Sequence, residues 1–212
     1  TLECISNRVG GDLISNAKWR GVRLKDLLER ARLKPGVVDI ASFARDGYSE
    51  SLPLEMALES QVLVAYMMNG EPLPTKHGFP ARLIIPGLYG EKCSKWLTRL
   101  EAVDHDFLGF WQRNGWSDDA RIKTTSQIRV PGKGDRLSHG EILIGGLAFA
   151  GDRGISKVEI SPDEGDTWLP AIVREPLSPY TWVLWTTEWV PSETGRFKLL
   201  VRPTDGKRRQ QV

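Results

Sequence analysis

Helical spacing of apolar residues disappears after Ser117-Asp118-Asp119, and that change divides the chain into two different folding problems. Before it, helical and strand patterns alternate. Leu24, Leu27, Leu28 and Ala31 recur at helical spacing, and Pro35-Gly36 stops that segment. Strands are expected over 37–43, over the apolar run 62–66, and over 82–85 and 96–103, with a short helix over 54–58 behind Pro53. Asn69-Gly70 marks a tight turn. After the break, β-rich runs recur at 142–150, 155–160, 182–189 and 197–201. Gly145-Gly146, Asp163-Glu164-Gly165 and the stretch 191–195 are read as turns between them. The expected fold class is α+β: a mixed α/β domain over 1–119, then a β-sandwich over 120–212.

Charge and cysteine content narrow the function classes. Lys and Arg total 29 against 27 Asp and Glu, so no basic excess of the kind that binds nucleic acid is present. Lys207-Arg208-Arg209 reads as a solvated tail. With only two cysteines, Cys4 and Cys93, no disulfide framework carries the fold, and neither has zinc-ligand spacing. No apolar run reaches the ~20 residues of a membrane span. The opening Thr1-Leu2-Glu3-Cys4 is read as mid-strand without an initiator Met, with residues expected upstream.

Three stretches hold candidate chemistry. Cys4 ends a strand and enters a Gly10-Gly11 loop, where a thiolate can be presented; a buried cysteine is otherwise a small apolar side chain. The segment 69–82 is a long, Pro-rich polar loop, in which His77 and Arg82 can donate to a phosphate or an anionic ring system. In the segment 87–96, glycines allow close backbone approach, and exposed amides with Ser94 and Lys95 can cradle a phosphate. The P-loop spacing is absent there.

Together, in order, Thr1-Leu2-Glu3-Cys4-Ile5-Ser6-Asn7, Met68-Asn69-Gly70-Glu71-Pro72-Leu73-Pro74, His77-Gly78-Phe79-Pro80-Ala81-Arg82 and Lys95-Trp96-Leu97 resemble the sulfite oxidase family of molybdopterin enzymes. The resemblance spans essentially the whole chain. Val158-Glu159-Ile160-Ser161-Pro162-Asp163-Glu164-Gly165-Asp166-Thr167-Trp168 is similar to that family's dimerisation domain, an immunoglobulin-like β-sandwich.

The resemblance implies a molybdenum-dependent oxidoreductase using Mo-molybdopterin for two-electron oxygen-atom transfer. The reaction would be sulfite oxidation, or reduction of a small S- or N-oxide. It implies Cys4 as the molybdenum ligand, with Asp46, His77, Arg82, Cys93, Ser94 and Lys95 holding the cofactor, and Trp19 and Trp116 lining the substrate pocket. A soft thiolate suits a metal bound mainly through sulfur. Expected partners are a small oxyanion or oxide substrate, a haem protein or other electron carrier, and a second copy in a homodimer. A periplasmic location is implied in the same way.

Departures accompany the likeness. Val9 follows Arg8 where the family carries a second arginine, and Trp116 stands where it places a tyrosine. Both remove polar groups near the metal and weaken the case for sulfite. The family's upstream cofactor segment, with its anion-binding arginine, and a pocket arginine past Val212 lie outside these 212 residues.

Two other classes compete. Ser161-x-Asp163-x-Gly165-x-Thr167-Trp168 fits an Asp-box hairpin of sialidase-like propellers, but a single copy is explained by one tight hairpin. A non-catalytic, cofactor-free interaction module is the second, with Trp182, Trp185 and Trp189 as a sticky face among eight tryptophans.

Overall fold

The computed structural model describes residues 1–211. Two compact units emerge: one takes Leu2–Ile5 and Ser15–Arg121, the other Thr1, Ser6–Ile14 and the described residues from Ile122 onward. Residues 6–14 therefore belong with the C-terminal unit rather than with the segments around them. Among the described residues no helix is long and apolar enough to cross a membrane.

The first unit contains β1 (Leu2–Glu3), β3 (Trp19–Arg23), α1 (Leu24–Ala31), β4 (Asp39–Ala44), β5 (Ser49–Pro53) and α2 (Leu54–Ala57). It continues with β6 (Leu63–Met68), β7 (Glu71–Pro72), β8 (Arg82–Ile84), β9 (Leu97–Val103) and α3 (Phe110–Arg113); β2 (Ile14–Ser15) straddles the two units. One antiparallel sheet joins β3, β6 and β7, with β8 also on β6; another has the order β5-β4-β9. Sheet dominates, and α1 is the one helix here longer than four residues. Its apolar spacing buries Leu24 and Leu28, Asp26 sits in its first turn and Arg30 in its last, and Arg32 ends it at φ 54°.

Those leucines join Ile40, Leu52, Val62, Leu83, Ile85, Leu88 and Cys93 in one core. The Asn69-Gly70 turn forms as expected, with both residues at positive φ. Among the strands that went unread in the sequence, β3 and β5 escaped because Trp-Arg-Gly-Val-Arg and Ser-Glu-Ser-Leu-Pro lack an apolar alternation. The expected buried run is only half-buried: Val62 is covered, yet Tyr66 is 42% exposed.

The second unit is a sandwich of two antiparallel sheets. Its strands are β10 (Thr125–Val130), β11 (Ile142–Phe149), β12 (Ile155–Ser161), β13 (Leu169–Pro170), β14 (Ile172–Val173), β15 (Val183–Trp189) and β16 (Leu200–Asp205). The sheets run β10-β11-β15-β14 and β13-β12-β16. Ile144, Ala148, Val158, Ile160, Val183 and Trp185 fill the space between them.

Two expectations fail here. Gly145-Gly146 is not a turn; it lies inside β11, where a Cβ on Gly146 would sit 1.8 Å from the Gln127 carbonyl oxygen and 2.7 Å from the Trp185 indole. The small residue makes room for the largest core side chain. The last strand is Leu200–Asp205, not 197–201; Phe197 instead packs edge-on against Trp189 at 4.8 Å.

The Asp-box hairpin is structural. Asp163 accepts from Thr167 N (2.9 Å), Thr167 Oγ1 (2.6 Å) and Ser161 Oγ (2.7 Å), while Trp168 Nε1 donates to Gly165 O (3.0 Å). These donors lower the Asp163 carboxyl to about 2.

Candidate cofactor site

Arg82 opens β8 and is 5% exposed. Its guanidinium donates to the carbonyls of His77 (3.1 Å) and Cys93 (3.3 Å), and lies 5.1 Å from the centre of the Trp19 ring. Carbonyls fix its direction without neutralising it. Lys95 is held similarly: Nζ donates to Lys76 O (3.1 Å) and lies 4.2 Å over the Trp96 ring, whose Nε1 donates to Thr75 O (2.7 Å). The turn Thr75–His77 is thereby tied to both cations.

Gly78 makes this convergence possible. At φ 108°, a side chain is disfavoured, and a Cβ would fall 3.0 Å from Lys95 Cβ and 3.1 Å from Arg82 Cβ.

The electrostatics suit an anion. Burial lowers the Arg82 and Lys95 values, and Arg82 pushes Lys95 further down, with Asp46 offsetting part of it. Burial, then Lys76, Arg82 and Lys95, lower His77, so its imidazole is neutral near pH 7. Cations crowded together against carbonyls and rings are stabilised when an anion arrives.

Arg82 and Lys95 line a cavity of about 300 Å³, together with Asp46, Ser94 and Cys93. Thus five of the expected cofactor-binding residues share one hollow. Cys93 contributes backbone: its Sγ accepts from Ile85 N (3.3 Å) inside the core, and burial raises its thiol. Ser94 Oγ is bonded to Ser42 Oγ at 2.8 Å. Asp46 Oδ1 accepts from Tyr48 N at 3.1 Å. His77 reaches the cluster through its carbonyl and its charge, and Trp19 through its ring on Arg82.

Cys4 follows β1 and is exposed. Its neighbour Glu3 places a carbonyl 3.4 Å from where a Cβ of Gly90 would stand, and Gly90 lines the cavity. Trp116 stacks on Trp111 at 4.5 Å between ring centres, and Trp111 lines the cavity.

Tyr48, Glu91, Trp96 and Trp111 also line it and were not assigned from the sequence. Beneath lies a buried network. Lys92 Nζ binds Glu50 Oε1 (2.8 Å) and Asp118 Oδ1 (2.6 Å), and Tyr48 Oη donates to Glu91 O (2.9 Å). Burial opposes the Lys92 charge, but Glu50 and Asp118 outweigh it and keep the ammonium protonated. Only the glycine at position 90 hinted at this floor.

The donor set fits a phosphate-bearing pterin: two fixed cations, Arg82 and Lys95, line the cavity beside the one-turn segment Gly90–Lys92, and the chain also carries an exposed free thiol at Cys4. An α+β domain with such a cavity, in one chain with an immunoglobulin-like sandwich, has the build of a protein that binds an anionic cofactor. Residues 1–111 match the oxidoreductase molybdopterin binding domain, and residues 119–211 match the Mo-co oxidoreductase dimerisation domain. The chain belongs to the sulfite oxidase family of molybdopterin oxidoreductases.

Mitochondrial sulfite oxidase of Rattus norvegicus is 32% identical over 225 residues, covering 91% of this chain and 41% of that protein. An uncharacterised oxidoreductase of Bacillus subtilis is 41% identical over 98 residues, covering 46% of this chain and 50% of that protein. The sulfane dehydrogenase SoxCD structure from Paracoccus pantotrophus superposes with a TM-score of 0.86 at 24% identity, over 99% of this chain and 60% of that one. The chain spans about two fifths of the length of the sulfite oxidases it matches.

Proposed function

We propose that this chain is the cofactor-holding and dimerising part of a molybdenum-dependent oxidoreductase acting on a small sulfur or nitrogen oxide or oxyanion. The observation that carries this reading is the convergence on one cavity of Arg82 and Lys95, both held by carbonyls of the Thr75–His77 turn. When bound, molybdopterin supplies two-electron oxygen-atom transfer. The chain's own residues bind and orient. Arg82 and Lys95 neutralise the phosphate, Gly78 sets their spacing, and Cys4 offers a thiolate to the metal. Trp19 shields the guanidinium on one side, and Trp96 and Trp111, the latter stacked on Trp116, wall the cavity with rings.

That aromatic wall favours a compact, weakly charged S- or N-oxide as much as sulfite. A haem protein or other carrier exchanging single electrons, a homodimer formed through the sandwich, and a periplasmic location belong to the same reading.

The test is Cys4→Ser in the full-length protein. Molybdenum, measured by mass spectrometry, is expected to fall together with activity toward sulfite and sulfoxides, the fold remaining intact. Retained metal with unchanged activity would remove Cys4 from the metal. A wild-type protein without molybdenum, made in a host that synthesises the cofactor, would favour the cofactor-free module instead.

A further inference from the structure

Glu91 lines the cavity, yet neither of its carboxylate oxygens has a hydrogen-bond partner among the described residues, and both are shut off from solvent. Such a group costs roughly 1–3 kcal/mol when left unmade, and folded proteins rarely leave one without a reason. Its neighbours cannot supply the bond. Tyr48 Oη is committed to the Glu91 main-chain oxygen and to Glu50, and Lys92 is committed to Glu50 and Asp118. Glu50 faces Glu91 as a like charge; burial first, and Glu50 second, raise the Glu91 carboxyl against the opposing pull of Lys92. The orphan is thus held without a partner by satisfied neighbours, and it borders a hollow.

We propose that Glu91 is a cofactor-binding residue whose carboxyl group pairs with the hydrogen-bonding edge of the pterin ring. This rests on the molybdopterin reading above. A pterin carries an amino group flanked by a ring nitrogen that accepts and a ring N–H that donates. A neutral carboxyl matches the amino group and the accepting nitrogen with two parallel bonds; an ionised one matches the amino group and the N–H. Both protonation states are therefore competent. Arg82 and Lys95 recognise the phosphate as a charge; Glu91 recognises the ring, and the two together fix which way round the cofactor lies.

Full-length wild type, Glu91→Gln and Glu91→Met are purified from a cofactor-competent host. Pterin is measured by fluorescence after release, molybdenum by mass spectrometry, and the melting temperature on cofactor-stripped protein. Glutamine can form the amino-group pairing, so E91Q is expected to hold pterin within about threefold of wild type, whereas E91M loses about tenfold, the scale of one charge-assisted bond. Stripped E91M melts no lower than stripped wild type, because the carboxyl has no partner in the empty cavity. Equal pterin retention in E91M and wild type would overturn the proposal, as would equal loss in both variants or an E91M that does not fold. Wild type that holds no pterin would overturn the molybdopterin reading itself.

Discussion

Charged groups are treated oppositely in the two units. In the sandwich, Arg153 and Asp205 are 8% and 0% exposed and meet at 2.7 Å, with Asp205 also accepting from Thr124 Oγ1 and from Lys207 and Arg209 N–H. Arg202 meets Glu159 at 3.2 Å and lies 3.7 Å over the Trp168 ring. In the other unit, Arg82 and Lys95 rest on carbonyls and rings, while the Glu91 carboxylate has no donor among the described residues. Satisfied charges hold a fold; charges kept out of balance around a cavity are available to a ligand. The Glu50–Lys92–Asp118 network shows the first unit can pair its charges, which makes the imbalance at the cavity a local property.

Mutations can break this contrast. Asp205→Ala strands Arg153 and three further donors, and is expected to cost about 3–5 kcal/mol in urea unfolding. A loss under 1 kcal/mol would show that the paired charges are not what holds this corner. Gly78→Ala forces a side chain into positive φ against Lys95 and Arg82; about 1–3 kcal/mol is expected, by the same measurement, together with loss of pterin. Lys95→Gln should separate the two roles: pterin retention falls about tenfold or more, while stripped protein stays within about 0.5 kcal/mol of wild type. A matching loss of stability would make Lys95 structural.

Acid sharpens the comparison more gently. Asp163 is depressed to about 2 from 3.8, so between those values the unfolded chain binds more protons and stability falls as pH drops through the window. Asp163→Asn should flatten that limb. His77 is also lowered, from 6.5, so folded stripped protein resists its protonation and loses stability as pH falls below 6.5. Inorganic phosphate should reduce that loss in wild type and do so less in Lys95→Gln, read as melting temperature against pH.

Spacing along the chain carried much of this. Leu24 and Leu28 announced α1, Asn69-Gly70 its turn, and His77-Gly78-Phe79-Pro80-Ala81-Arg82 followed by Lys95-Trp96 the cofactor loops, because helix periodicity, positive-φ turns and close loop crossings each demand particular residues at particular intervals. Gly145-Gly146 misled, since two glycines in sequence do not distinguish a bend from a strand that yields space to Trp185.

Glu91, Tyr48 and Trp111 were invisible for a related reason. A carboxylate, a phenol and an indole are ordinary in a sequence, and become a site only when strands far apart along the chain enclose them. What residue order determined by itself was which pieces exist and which family they compose. Which charges go unpaired, and so where a ligand can be held, was decided by packing alone, because desolvation and the distance to a partner have no counterpart in one dimension.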